Sequence, residues 1–454
     1  MTTHPSDGPE GRVRRVLPWR SEFAAMARLA APLGLAHAAV ILMSVVDTFF
    51  VGRFDATHLA GVGVGNALSH GLLVFGMGAA LTLEPLIAQA LGAGEPLRAV
   101  AWWRTGARLN LLLGLPLSLA ALLLAWQATL FDVSEAIAAE AFSYTLWRTP
   151  GNLVFLYWLA ARSVIQSQQR VQPLLWAALL ANVANAAIDA ALVDGIVTLG
   201  AAGAGLATSI SSLVLLVVAR HAVRLSQPRE IGELPAAPMR RLFVLGLPVS
   251  LQLAAEFLVF STAGVLAARI DAASGAAHQI ALNCATLTFM FANGVGGAAG
   301  ARIGEAVGLG DTDLARRRAG VAVLLGLAVM GASALMFALW SGPIAAVFTA
   351  DHETTVQAVA ATLLLIAAFF QLFDGTQVIL GGILRGAGDI RVPFVVTLLA
   401  YWAVGFAVGV ALAFEAELGV EGLWYGLSAG LATASIGLGL RAVVVFRRDI
   451  ARLR

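Results

Sequence analysis

Asp47, Glu256 and Asp374 are acids set inside long apolar runs of a 454-residue chain. An ionised carboxylate at membrane depth is costly, and one found there reads first as a group that takes up and returns a proton or a cation. Asp47 follows AAVILMSVV and precedes TFFVGR. Farther on, Asn182, Asn185 and Asp189 share one apolar run, with Asn185 and Asp189 four residues apart on one helix face. If that face meets Asp47, two carboxylates and an amide form one site, and a shared proton or cation relieves the repulsion between the acids. In the second half Gln252 and Glu256 are also four apart, while Gln371, Asp374 and Gln377 follow at helical spacings. A pocket holding both of these acids binds a cation, and protonation discharges it. The plainer reading is polar contact between helices, and it stays open for the acids and above all for Asn182 and Asn185. His278, Gln279 and Asn283 open an apolar run, where they serve as caps and packing groups or as substrate ligands. Tyr157, Phe289, Phe291, Phe370 and Trp402 are of a type that stacks on organic cations, with core or lipid packing as the default.

The elements that must position these groups are helices in a bilayer. Hydrophobic residues make up 59% of the chain, charged residues 12%, and the mean hydropathy is +0.83. So little charge cannot cover a soluble protein of this length. Apolar runs long enough to cross a membrane recur at 30–52, 62–90, 107–130, 143–164, 173–195, 199–223, 242–267, 278–303, 318–348, 356–384, 393–414 and 419–445. The fold expected is an all-α integral membrane protein of twelve transmembrane helices. A net charge of +2 comes from arginines scattered over short connections, which disfavours nucleic acid as a partner. Those arginines fall at alternate connections and at both ends, so both termini are expected in the cytoplasm, with the chain in the cell's inner membrane. The stretch before the first run lacks a signal-peptide cleavage site, and that run is expected to stay as a helix. The single Cys284 reads as a structural thiol, and seven scattered histidines form no metal-binding pair.

The chain also repeats. Advancing 216 positions takes Pro32 to Pro248, Gly94 to Gly310 and Glu95 to Asp311, so ALGAGE returns as AVGLGD. Near the end of each half the offset drifts, and Gly200 and Gly203 pair with Gly419 and Gly422. The organisation expected is a leader at 1–27, an amino-terminal lobe of six helices at 28–223, a linker at 224–241, a second six-helix lobe at 242–446 and a tail at 447–454. An even number of spans makes the halves parallel repeats, an arrangement suited to alternating access.

VDTFFVGR (46–53), PLIAQALGAG (85–94), AAHQIALN (276–283) and LFDGTQVILGGILRGAGD (372–389) resemble signature regions of the multidrug and toxic compound extrusion (MATE) transporters, over roughly residues 28–446. Glu256 together with Asp374 resembles the NorM-like branch. The resemblance implies two pseudo-symmetric six-helix bundles, and because a chain holding both lobes needs no partner to form its pathway, a monomer is expected. It also implies efflux of small cationic amphipathic compounds in exchange for H+ or Na+, with no other cofactor and no enzymatic activity. By the same resemblance Glu256 and Asp374 line a carboxy-lobe cation site, while Asp47, Asn185 and Asp189 match amino-lobe coupling positions, with Thr208 a weaker candidate. Either set is a possible Na+ site. Asp189 stands where NorM-like proteins often have a second amide, so coupling is expected to involve both lobes. The rival within this fold is a flippase or exporter of a lipid-linked or other endogenous metabolite, which would favour several arginines in the cavity.

Overall fold

A computed structural model describes residues 18–131, 133–226, 233–349 and 353–453. Among them are twelve long helices: α1 (Trp19–Phe54), α2 (Ala56–Gly92), α3 (Pro96–Trp126), α4 (Glu135–Ser167), α5 (Gln172–Leu192), α6 (Ala201–Ser226), α7 (Met239–Ile270), α8 (Ala272–Gly308), α9 (Thr312–Phe348), α10 (Thr354–Gly386), α11 (Arg391–Glu415) and α12 (Gly419–Phe446). Eleven are long and apolar enough to cross a bilayer. The other, α4, carries Glu135, Glu140, Arg148 and Arg162 along its length. Two stretches of α11, Ala400–Phe406 and Ala411–Glu415, are wound as π-helix, a geometry frequent at functional sites.

The repeat reappears as geometry. Asp55 caps α2, its Oδ1 accepting from the backbone N–H groups of Thr57 (2.7 Å) and His58 (3.1 Å), and its counterpart Asp271 caps α8 by accepting from Ser274 N at 2.7 Å. Those backbone N–H groups, His58's first for Asp55 and Ser274's for Asp271, hold both carboxyls below the usual carboxylate range. At the other end of the same helices Gly94 and Gly310 turn the chain at φ 75° and 71°, a left-handed conformation that suits glycine. Gly200 and Gly419, the pair at the drifted offset, have φ 54° and 59°.

Helices α1–α6 pack together and α7–α12 pack together, and the two lobes meet where α1 lies on α8 and α2 lies on α7 and α8. At the first contact a Cβ on Gly294 would fall 2.5 Å from Gly34 N; at its twin, one on Gly78 would fall 2.3 Å from Ser250 N. Backbones this close leave no room for side chains. These contacts continue to the ends of α2 and α8, where Gly92 meets Glu305 and Gly308 meets Gln89. The end of the bundle that holds the termini is therefore closed.

Two expected boundaries need correction. The leader was expected to run to residue 27, but α1 begins at Trp19, because Glu22 is buried against Arg302 and Arg318 and Met26 is fully buried in the core. Residues 1–17 lie outside the described residues. The expected linker 224–241 is trimmed by helix on both sides, α6 running to Ser226 and α7 starting at Met239, while 227–232 are outside the described residues. The tail crosses the closed end. Leu453 N donates to Gln89 Oε1 (2.8 Å), Ile450 N to Thr312 Oγ1 (3.4 Å), and Arg452 lies 3.5 Å from Glu95.

Candidate functional site

In the amino-terminal lobe α1, α5 and α6 bring Asp47, Asn185, Asp189 and Thr208 together. Asp47 Oδ1 accepts from Asn185 Nδ2 at 2.9 Å and Oδ2 from the Thr208 hydroxyl at 2.6 Å. Asp189 is fully buried against Asp47, and neither of its oxygens has a hydrogen-bond partner; Asn185 Oδ1 also lacks one. The neighbouring cation, Arg148, donates through Nε to Asn152 Oδ1 at 3.2 Å. Three unpaired oxygens beside a bound carboxylate form an all-oxygen donor set, chemically suited to a shared proton or a hard cation. Asn182 is elsewhere engaged: its Nδ2 donates to Ala39 O (2.6 Å) and Ala178 O (2.9 Å), tying α5 to α1. That is the packing role.

In the carboxy-terminal lobe Glu256 on α7 and Asp374 on α10 line a cavity of about 800 Å³ between the lobes, which reaches the α7–α8 turn at Ala268 and Gly275. Behind these acids Gln371 is fully buried, its Oε1 accepting from Thr288 while Nε2 has no partner, and Gln377 lies beside Asp374. His278 and Gln279 both line the cavity. Trp424 Nε1 donates to His278 Nδ1 at 3.2 Å, leaving Nε2 unpaired, and Gln279 Nε2 donates to Asn283 Oδ1 at 3.0 Å. α8 begins at Ala272, so His278 lies more than a turn inside its helix instead of opening it. Gln252 is buried away from the cavity, and Asn283 is outside its lining. Of the aromatic candidates, Phe289 and Phe370 line it. Tyr157 accepts from Arg220, Trp402 donates to Ala255 O at 3.3 Å, and Phe291 packs on Gly34.

Several polar groups of the site had no signal in the sequence. His37, His70, Arg162 and Asn293 line the cavity. Tyr401, in the π-wound part of α11, is buried beside Glu256 and Asp374 with its hydroxyl unpaired. Each stands alone in an apolar run, and only tertiary structure gathers them. The displaced winding around Tyr401 could not be read from residue types.

The MatE family profile matches residues 32–191 and 248–411, the second match starting at Pro248, the repeat partner of the Pro32 at which the first starts. This chain belongs to the MatE family. It is 33% identical over 444 residues to the probable multidrug resistance protein NorM of Bradyrhizobium diazoefficiens, covering 94% of each chain. With the NorM of Burkholderia pseudomallei it shares 35% over 433 residues and 90% of each chain, and with the multidrug resistance protein MdtK of Pectobacterium atrosepticum 31% over 450 residues, 94% of this chain and 96% of that one. The fold superposes on the eukaryotic MATE transporter AtDTX14 with TM-score 0.85 and 19% identity, covering 94% and 96% of the two chains. It superposes equally on an outward-facing MATE family multidrug resistance transporter, with TM-score 0.85, 16% identity and 94% and 97% coverage. As a MatE protein with NorM relatives, the chain is a multi-pass membrane transporter and not an enzyme.

Proposed function

We propose that this MatE protein is a multidrug efflux antiporter of the cell's inner membrane, with both termini cytoplasmic. It exports small cationic amphipathic compounds in exchange for H+ or Na+ by alternating access, as a monomer. The observation that carries this reading is the separation of two acidic sites. Asp47 and Asp189 are sealed inside one lobe, where both Asp189 oxygens and Asn185 Oδ1 are unpaired, whereas Glu256 and Asp374 face the cavity between lobes. Two ionised carboxylates in contact repel, and the neighbouring Arg148 donates to Asn152 and, among the described residues, forms no ion pair with either acid, so the sealed site suits the coupling ion. The open acids suit an organic cation, with Phe289 and Phe370 offering it apolar and π surface.

With the termini in the cytoplasm, the closed end is the inner one and the cavity faces outward. In that state ion uptake discharges carboxylates and releases substrate; after the lobes rock, ion loss restores the charge that draws substrate from inside. Coupling is the free-energy difference the ion imposes between the two states. The flippase reading would favour several cavity arginines, and among the described residues Arg162 is the one in the lining. The test is efflux of a fluorescent organic cation from proteoliposomes, with pH and Na+ gradients imposed separately. Flux driven by one gradient and lost in Asp47→Asn supports the proposal, and flux indifferent to both gradients overturns it.

A further inference from the structure

Gln89 on α2 and its repeat partner Glu305 on α8 tie the lobes together at the closed end. Gln89 Nε2 donates to Gly386 O at 3.0 Å, and Glu305 Oε2 accepts from Gln169 Nε2 at 2.8 Å. Beyond that the two diverge. Glu305 pairs with Arg318 of its own lobe at 2.9 Å, whereas Gln89 Oε1 accepts from Leu453 N at 2.8 Å. A second repeat pair diverges in the same way. Asp311 caps α9 by accepting from Leu314 N at 2.9 Å, while Glu95 makes no cap to α3 and turns to Arg98 (3.1 Å) and Arg452 (3.5 Å). The partners that Gln89 and Glu95 gain across the lobes, Leu453 and Arg452, both lie in the tail.

That tail leaves α12 at Phe446 and is fastened to its own lobe first, Ile450 N donating to Thr312 Oγ1 at the start of α9 (3.4 Å). Leu453 then touches both lobes at once. Its N–H is on Gln89, and its side chain lies on the turn after α10, where a Cβ on Gly388 would fall 3.0 Å from Leu453 Cγ. Ile450 and Leu453 are both half-buried against the main core. A cavity of about 690 Å³ remains between the tail and α2, α3 and α8, so a few contacts hold this segment and it lifts without unpacking the helices. When the lobes part at this end, Gln89 and Glu95 move away from Thr312 and Gly388, and the tail cannot keep both sets of partners. A contact made in only one of two states shifts their balance by its own free energy. We propose that the segment after α12, 447–453, is a latch that holds the inner end closed and so sets how readily the transporter turns inward. The inference rests on the alternating-access reading, which supplies the parting of the lobes.

The test is double electron–electron resonance on the protein in lipid nanodiscs, with nitroxides at Arg104→Cys on α3 and Arg391→Cys on α11, both exposed positions, in a Cys284→Ser background. Distances are recorded in acid and alkaline buffer, with and without Na+. A short distance reports the closed end and a longer one the open end. A chain ending at Arg448 raises the ratio of long to short about tenfold over the full-length chain, as expected for losing a hydrogen bond and an apolar anchor together. Leu453→Ala, which keeps the backbone donor, raises it about threefold and supplies the comparison if the shortened chain does not fold. Arg452→Gln changes it by less than about twofold, because that ion pair is half-exposed. The contacts of Glu22 with Arg302 and of Gln169 with Glu305 remain in every variant, so the end still closes. Two distances whose ratio is unmoved by the shortened chain and by Leu453→Ala, even with a lowered melting temperature, overturn the latch and leave alternating access standing. One short distance in every protein and every buffer overturns alternating access, and the latch with it.

Discussion

In the amino-terminal lobe, Asp47 and Asp189 are enclosed by α1, α5 and α6, in contact with each other and away from the cavity lining, whereas Glu256 and Asp374 of the second lobe look directly onto that cavity. The scaffold around them is duplicated closely, down to the Asp55 and Asp271 caps and the Gly34–Gly294 and Ser250–Gly78 contacts. The contents differ. Advancing Asp47 by 216 positions reaches Ala263, and stepping back from Glu256 reaches Val40. A duplicated frame with unmatched acids lets the two halves place their carboxylates differently, against buried oxygens in one and on the cavity in the other.

The strongest way to break this division is Asp47→Asn. Gradient-driven efflux from proteoliposomes is expected to fall to that of empty liposomes, while binding of a cationic dye to the detergent-purified protein stays within about threefold, since no contact in the cavity is removed. A parallel loss of binding would erase the distinction between the sites. The duplicated frame is tested by Gly78→Val and Gly294→Val, each forcing a side chain into a backbone contact and costing about 1–3 kcal/mol. Thermal unfolding should fall by a similar amount in the two variants, and a large disparity would show the frame to be less symmetric than its geometry. Glu256→Gln is expected to weaken binding of the cationic dye about tenfold, or ~1.4 kcal/mol, with a smaller effect on ion dependence than Asp47→Asn. The smallest effect belongs to the caps. Because their backbone hydrogen bonds hold Asp55 and Asp271 below the usual carboxylate range, the stabilisation each gives is present above that range and is lost as pH falls through the lowered values. Melting temperatures of Asp55→Asn and Asp271→Asn should lie slightly below the parent at neutral pH and converge on it in acid.

Much of this was legible from residue types because membranes simplify the code. Twelve apolar runs and the shared helix face of Asn185 and Asp189 follow from local spacing, and the paired Gly94 and Gly310 turns follow from the 216-residue repeat. Whether that helix face meets Asp47 was left conditional by the spacing, and Thr208 was a weaker candidate by family resemblance; the packing of α1, α5 and α6 brings all of them together. What escaped depended on distant partners. The expected leader at 1–27 takes in Glu22, yet Glu22 is buried against Arg302, 280 residues away. Asn182 looked as much like a ligand as Asn185, and only the position of Ala39 O turned it into a link between helices. His37 and Arg162 had no neighbours in sequence to mark them, since the surface they share is built by α1 and α4 together.

The seating of α1 on α8 and of α7 on α2 carries a consequence for ancestry. Each six-helix half brings one helix that offers a glycine and one that offers the seat for its counterpart, so a half has the complementary surfaces of an isologous interface with a second copy of itself. Two identical half-length chains inserted in the same orientation carry the surfaces this frame needs, the footprint expected of duplication and fusion. A chain holding both halves is free of the identity that binds a strict homodimer: Asp47 stands in one half opposite Ala263 in the other.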